Sequence, residues 1–289
     1  MIIVSSKHSE DLAQALAKKT RSEYSQLTVK EFPDGDLYLK FNTEVKGKTV
    51  VIVRSFQPLP NTALYTTIFI AETAKDLGAK EVILVAPYLA FMRQDKRFNP
   101  GEAVSSKIMA KLLNNSVDKL ITIDPHLHRY KSLKDIFKIP AIKITANELI
   151  GDYVKKNVKD PVIIGPDWES YQWAEKIANR INVPSTVLRK TRHSYREVSV
   201  KVVKPIEIKG KNAVIVDDII STGNTIAEAA KQAKKQGAKS ITAIGVHGLL
   251  IENAVTKLKR LEVKVVTTNT IKHKTNEIDV VGLIADELR

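Results

Sequence analysis

The 289-residue sequence contains no cysteine. Disulfides, thiolate nucleophiles and Cys-ligated metals are thereby excluded together, and any chemistry must come from oxygen and nitrogen groups. No apolar run approaches the roughly 18 residues that a membrane-spanning helix requires. Met1-Ile2-Ile3-Val4-Ser5 has the pattern of a strand rather than of a signal peptide, so a cytoplasmic protein with no membrane partner is expected. Acidic residues are outnumbered, 32 against 46 Lys and Arg, which gives a net charge of +14. Such an excess invites a nucleic-acid partner, but no recognition motif accompanies it. The expectation is therefore no nucleic acid, with the charge spread over Lys-rich helix faces and gathered where phosphorylated small molecules bind. A Walker loop is also missing. Gly47-Lys48-Thr49 has Asn42 where the earlier glycine would stand, and it precedes a strand instead of following one.

What is present is a globular composition, 43% hydrophobic and 27% charged, in which short Val/Ile runs alternate with stretches of helical period. That alternation marks βα units around a mostly parallel sheet, an α/β fold. Strands are expected at Val50–Val53, Val82–Ala86, Leu120–Ile123, Val162–Ile164, Ala213–Val216, Ile241–Val246 and Val263–Thr267. Their unbroken apolarity says that both faces are covered. Ser9 can cap a helix with Glu10 and Asp11 in its first turn. Further helices fit Thr62 to Leu77, Ser105 to Leu113, Glu169 to Ile181, Ile226 to Gln236 and Asn253 to Leu261. Gly78-Ala79-Lys80 before one strand echoes Gly237-Ala238-Lys239 before another. The echo is either a common way to leave a helix, with Gly at the αL position, or the mark of two similarly built domains, residues 1–143 and 144–289, with a break after Lys138-Ile139-Pro140.

The chemistry gathers after Val216. In parallel α/β sheets, ligands bind beyond the carboxyl ends of strands, and there stand Asp217 and Asp218, then Ser221-Thr222-Gly223-Asn224-Thr225 opening a helix. Hydroxyls and backbone N–H groups at a helix N-terminus make an anion site, and Gly223 lets the backbone come close. The two acids cannot hold a phosphate directly; they suit sugar hydroxyls, or a Mg²⁺ ion shared with them.

The run Val214 to Thr225 resembles the signature of the phosphoribosyl-diphosphate-binding fold, which phosphoribosyltransferases share with the synthetase that makes their donor. Other segments are similar to those of the synthetase, the ribose-phosphate pyrophosphokinase family, in its archaeal form. Phe32-Pro33-Asp34-Gly35-Asp36, also a strong hairpin-turn signal between Val29–Phe32 and Leu37–Phe41, resembles the family's adenine-binding segment, which usually reaches across a subunit interface. Arg93-Gln94-Asp95-Lys96-Arg97 after Pro87-Tyr88 resembles its ATP-phosphate segment. Asp124-Pro125-His126 and Gly165-Pro166-Asp167 resemble its two Mg²⁺-associated segments. Lys190-Thr191-Arg192 is similar to the Lys-x-Arg of its flexible catalytic loop.

The resemblance implies two phosphoribosyltransferase-type domains with the site in the cleft between them, a homo-oligomer of at least a dimer, and Mg²⁺ as cofactor. It implies ATP and ribose 5-phosphate as substrates, with 5-phosphoribosyl 1-diphosphate and AMP as products. Phe32, Asp34, Gly35 and Asp36 would bind adenine; Arg93, Gln94 and Arg97 the ATP phosphates; His126 and Asp167 the metal. Asp217, Asp218, Ser221, Thr222, Gly223, Asn224 and Thr225 would bind ribose 5-phosphate together with Arg192, and Lys190 and Arg192 would stabilise the transition state. A phosphoribosyltransferase and a non-catalytic regulatory homologue are the alternatives. Ser221, Asn224, Trp168 and Leu127-His128-Arg129-Tyr130 depart from the common pattern of the family.

Overall fold

The computed structural model describes the backbone of residues 1–192, 198–202 and 206–289; side chains are described for these residues except 169, 188–192 and 198–202. The chain divides into two compact units. One comprises residues 1–144, 270–272 and 280–289, the other residues 145–269 and 273–279.

The first unit is built on strands β1 (Ile2–Ser5), β2 (Glu23–Gln26), β5 (Thr49–Val53), β6 (Glu81–Ala86), β7 (Lys119–Ile123) and β8 (Ala141–Ile144), with a separate hairpin of β3 (Thr28–Glu31) and β4 (Leu37–Lys40). The six strands form a wholly parallel sheet in the order β2-β1-β5-β6-β7-β8. Its centre is fully enclosed: Val50, Val51, Ile52 and Val53 have no exposed surface, as continuous apolarity on both faces demands. Helices α1 (Glu10–Thr20), α2 (Pro60–Asp76) and α3 (Ser105–Ser116) supply apolar faces.

The second unit contains α4 (Asn147–Asn157), β9 (Pro161–Gly165), α5 (Trp168–Ile181), β10 (Ser185–Arg192), β11 (Val198–Val202), β12 (Asn212–Ile220), α6 (Asn224–Lys235), β13 (Ser240–Gly248), α7 (Ala254–Arg260), β14 (Val263–Thr268) and β15 (Asn276–Ile278). Its sheet runs β11-β10-β9-β12-β13-β14-β15, parallel except where β11 returns antiparallel along β10. The final helix, α8 (Val281–Asp286), buries Val281, Ile284 and Ala285 and packs against α1 in the first unit. A single cut near residue 143 therefore leaves out this return of the chain.

Two differences from the sequence reading have physical causes. Ser9 stands at the N-cap of α1 but does not cap it; its hydroxyl accepts from the Ser55 N–H at 3.1 Å. Strand β12 does not stop at Val216. It carries Asp217 and Asp218 within it, because pairing with β13 continues to Ile219–His247 and Ile220–Gly248. Lys190 and Arg192 lie on the strand β10, paired antiparallel with Val200 and Val198, as residues of a hairpin should.

Candidate active site

In the second unit, Ser221 to Thr225 form the β12–α6 junction and stand at a helix N-terminus. Gly223 is the N-cap, at φ +73°, and its carbonyl accepts the Ala227 N–H at 2.8 Å. Positive φ favours glycine here, while a Cβ at 223 would make only ordinary contact, 3.4 Å from Ala254 and Leu258. The first N–H groups of α6 have no intrahelical partner, which suits an anion reinforced by the helix dipole.

Lys257, on α7, braces this loop. Its Nζ donates to the Thr222 carbonyl at 2.9 Å and to Asn224 Oδ1 at 2.6 Å. Nothing in the local sequence marks Lys257, which is one of two lysines on a short helix and lies 35 residues from Thr222. Only the packing of α7 against α6 brings it here.

Three carboxylates of the same unit interact. Asp167 caps α5, its Oδ1 accepting the Ser170 N–H at 2.9 Å and the Ser170 hydroxyl at 2.8 Å. The same Ser170 Oγ stands 2.9 Å from Asp217 Oδ1, and the Asp218 N–H reaches Asp217 Oδ1 at 3.0 Å. One hydroxyl carries one proton and can donate to only one carboxylate at a time. Desolvation, followed by the charges of Asp218 and Asp167, raises the Asp217 pKa well above its ordinary value. Crowded acid oxygens of this kind are the donor set that a hard divalent cation such as Mg²⁺ prefers. Ser170, which ties Asp167 to Asp217, is a second residue that the sequence reading missed.

The backbone of β10 carries Lys190 and Arg192 at its carboxyl end. Their side chains lie outside the described residues, as do residues 193–197.

In the first unit, the segments after β6 and β7 are fastened together. Arg129 Nη1 pairs with the buried Asp95 Oδ1 at 2.8 Å, and the Tyr130 hydroxyl reaches the Asp95 carbonyl at 3.2 Å and Ser106 at 2.9 Å. Asp95 is thus an anchor for the 126–130 segment, with its side chain fully enclosed. Gln94 receives the Ser105 hydroxyl on its Oε1 at 2.5 Å and so supports the start of α3. Arg97 donates through Nε to the Glu102 carbonyl at 2.9 Å, while the Glu102 carboxylate collects the Phe98 and Asn99 N–H groups and the Asn99 amide. Those bonds lower the Glu102 pKa, the Asn99 side chain most of all. Arg93 is exposed. His126 is accompanied by His128: Nδ1 of the first and Nε2 of the second are 2.9 Å apart. The strand before them ends at Ile123, and Asp124, which follows it, is buried and at φ +34°.

The β3–β4 hairpin forms the turn expected of Phe32 to Asp36. The Phe32 N–H donates to Asp36 O and the Gly35 N–H to Phe32 O, both at 2.8 Å, with Gly35 at φ +93°. Asp34 Oδ1 accepts the Asp36 N–H at 3.2 Å. Phe32 is 51% exposed and meets Tyr38 edge to face at 5.7 Å, presenting an aromatic surface fit for a flat heterocycle.

Comparison with known proteins finds a match for most of the chain. Residues 1–116 match the N-terminal domain of ribose phosphate pyrophosphokinase, and residues 132–282 match the phosphoribosyl transferase domain. The chain is 35% identical over 290 residues to the ribose-phosphate pyrophosphokinase of Methanothermobacter thermautotrophicus, covering 100% of both. It is 35% identical over 286 residues to that of Saccharolobus solfataricus, covering 98% of this chain and 97% of the relative. A crystal structure of phosphoribosylpyrophosphate synthetase from Mycobacterium smegmatis superposes with a TM-score of 0.88 at 26% identity, over 100% of this chain and 97% of that one.

Proposed function

Because the chain belongs to the ribose-phosphate pyrophosphokinase family, it is an enzyme that transfers the diphosphoryl group of ATP to the anomeric hydroxyl of ribose 5-phosphate, and we propose how its residues share that work. The products are 5-phosphoribosyl 1-diphosphate and AMP. The hydroxyl attacks the β-phosphorus in line, the bond between the α,β-bridging oxygen and the β-phosphorus breaks, and AMP leaves with that oxygen. Little covalent chemistry falls to the protein in such a transfer, so positioning and charge neutralisation dominate.

The residues of the second unit serve ribose 5-phosphate. Ser221, Thr222, Gly223, Asn224 and Thr225 hold its phosphate at the start of α6, where N–H groups and hydroxyls converge, and Arg192 adds a cation. Asp217 and Asp218 take the ribose hydroxyls. The residues of the first unit serve ATP: Arg93, Gln94, Arg97 and His126 the phosphates, and Phe32, Asp34, Gly35 and Asp36 the adenine. Lys190 and Arg192 neutralise the charge that develops on the transferred group.

Mg²⁺ would be held at Asp167 in the second unit, and His126 is the metal-associated residue of the first. The crowded carboxylates beside Asp167 fit a hard cation, and the ion, when bound, supplies neutralisation of phosphate charge. The exposed Phe32 on a hairpin tip is best used against a nucleotide shared with a second subunit, so the enzyme is a homo-oligomer of at least a dimer. It works in the cytoplasm. Among the described residues no helix is long and apolar enough to cross a membrane.

The observation that carries this division of labour is the Gly223-capped start of α6 directly beyond a strand bearing two acids. The test is to incubate the protein with ATP, Mg²⁺ and ribose 5-phosphate and to quantify nucleotides and the phosphoribosyl product. Equal amounts of AMP and 5-phosphoribosyl 1-diphosphate are expected. Formation of ADP, or of no product, would overturn the reading.

A further inference from the structure

Arg54 takes no part in the site described above, yet it is the buried cation of the first unit. It follows Val53 at the carboxyl end of β5, beside the turn that follows β1, and is only 3% exposed. Its guanidinium makes one hydrogen bond, from Nη1 to the Ser6 hydroxyl. Its Nε is enclosed and donates to nothing, and among the described residues no carboxylate pairs with it. The neighbouring Ser55 hydroxyl is likewise enclosed without a partner. Burial lowers the Arg54 pKa, and Arg54 together with Lys7 helps to lower that of His8 after burial, so the local field is positive.

A guanidinium stays charged in proteins, and burying it uncompensated costs on the order of several kcal/mol. A purely structural arginine would spend its five donors on backbone carbonyls or a carboxylate; this one uses a single donor on a serine. The unused Nε lies on the edge of the guanidinium that binds two oxygens of one anion side by side. The location is also that of a ligand site, since the carboxyl ends of neighbouring parallel strands are where α/β sheets bind ligands.

The second unit holds the counterpart. Asp217 follows Val216 of β12 as Arg54 follows Val53 of β5, and each stands seven residues after a glycine of positive φ, Gly210 and Gly47. Each side chain also reaches a serine in the segment after the adjacent strand, Ser170 for Asp217 and Ser6 for Arg54. One edge carries an acid suited to hydroxyls and cations. The other carries a base.

We propose that Arg54, with Ser6, Ser55 and the nearby Lys7, forms a binding site for a tetrahedral oxyanion of the phosphate class in the first unit. The occupant is either a free ion or the phosphoryl end of a nucleotide. Crystals of the full-length protein soaked in selenate are expected to show anomalous density within hydrogen-bond reach of Arg54 Nε, in addition to density at Ser221–Thr225. Density at Ser221–Thr225 alone would overturn the proposal. A parallel soak with ATP and no free oxyanion separates the two sources: a nucleotide phosphoryl group at Arg54 identifies the substrate as occupant, and an ion seen only in the selenate crystals identifies a free anion. In solution, with ribose 5-phosphate saturating so that the α6 loop is filled, inorganic phosphate at constant ionic strength should raise the Tm of the wild type and leave that of Arg54→Lys and Ser55→Ala unchanged. Equal rises in all three would contradict the site. If the Arg54 variant does not fold, the wild-type selenate map and Ser55→Ala still decide.

Discussion

At the helix-exit edge of their sheets the two units are built alike, bond for bond, while at the opposite edge they carry opposite charges. After α2, Gly78 at φ +80° donates to Lys75 O, Ala79 to Ala74 O and Lys80 to Lys48 O, and Gly78 O accepts from Gly47. After α6, Gly237 at φ +79° donates to Lys234 O, Ala238 to Ala233 O and Lys239 to Lys211 O, and Gly237 O accepts from Gly210. Even the packing repeats: a Cβ at Gly78 would meet Lys46 Cγ at 3.3 Å, and one at Gly237 would meet Lys209 Cγ at 3.2 Å. The Gly-Ala-Lys echo is therefore more than a common helix exit, and Gly47-Lys48 belongs to this clasp. A shared framework leaves each unit free to vary the residues beyond its strands. Arg54 stands where the other unit has Asp217, and the segment Arg93–Arg97 of the first unit is basic where the second has the Gly223 start of α6.

The comparison can be broken or sharpened by substitution. The largest effect is expected for Lys190→Ala: loss of a cation from the transferring group should lower kcat by about 100-fold or more, with the KM for ribose 5-phosphate little changed. Wild-type turnover in steady-state assays would remove Lys190 from the mechanism. Lys257→Met unties Thr222 and Asn224 and is expected to raise the KM for ribose 5-phosphate by roughly tenfold, about the 1.4 kcal/mol of a charge-assisted bond. The KM for ATP should stay near wild type, and Lys257→Arg should recover part of the loss. An equal rise in both KM values would mean that Lys257 supports the fold generally.

Asp217→Asn probes the acid edge through pH. Because the folded-state pKa of Asp217 is raised, the folded protein holds a proton that the unfolded chain gives up. The stability from that group is present at low pH and lost as pH rises from the ordinary carboxylate value through the raised one. Denaturant melts of the metal-free wild type should show this decline, and Asp217→Asn should flatten it; identical slopes would show that Asp217 titrates normally. The smallest effect concerns the shared framework. Gly78→Ala and Gly237→Ala should each cost about 1–2 kcal/mol through their positive φ, by equal amounts and with both KM values unchanged. A large difference between the two melts would break the structural equivalence of the units.

Much of this organisation was legible in the sequence because buried parallel strands are continuous apolar runs. Val82–Ala86 and Ile241–Val246 could be read directly, and they extend only slightly, to Glu81–Ala86 and Ser240–Gly248. The elements that escaped lack that signal. Strand β2 is Glu-Tyr-Ser-Gln at a sheet edge, with no buried residue. Strand β8 follows Pro140 and resembled a boundary, although its register with β7 runs from Leu120–Ala141 to Ile123–Ile144. Helix α8 is too short for its period to stand out. The motif residues were legible because they cluster along the chain, but the contacts that support them were not. Ser170 meets Asp217 across 47 residues, and Asp95 meets Arg129 across 34. Asp95 lies inside the segment that resembles the ATP-phosphate segment, and only folding shows that its Oδ1 pairs with Arg129.

The central claim is that each unit serves one substrate, and it is tested most directly by titration calorimetry of ribose 5-phosphate and of a non-hydrolysable ATP analogue with Mg²⁺ against two variants, Thr225→Ala and Arg97→Ala. The account expects Thr225→Ala to weaken ribose 5-phosphate alone and Arg97→Ala to weaken the nucleotide alone. Loss of nucleotide binding in Thr225→Ala with ribose 5-phosphate binding intact would contradict it.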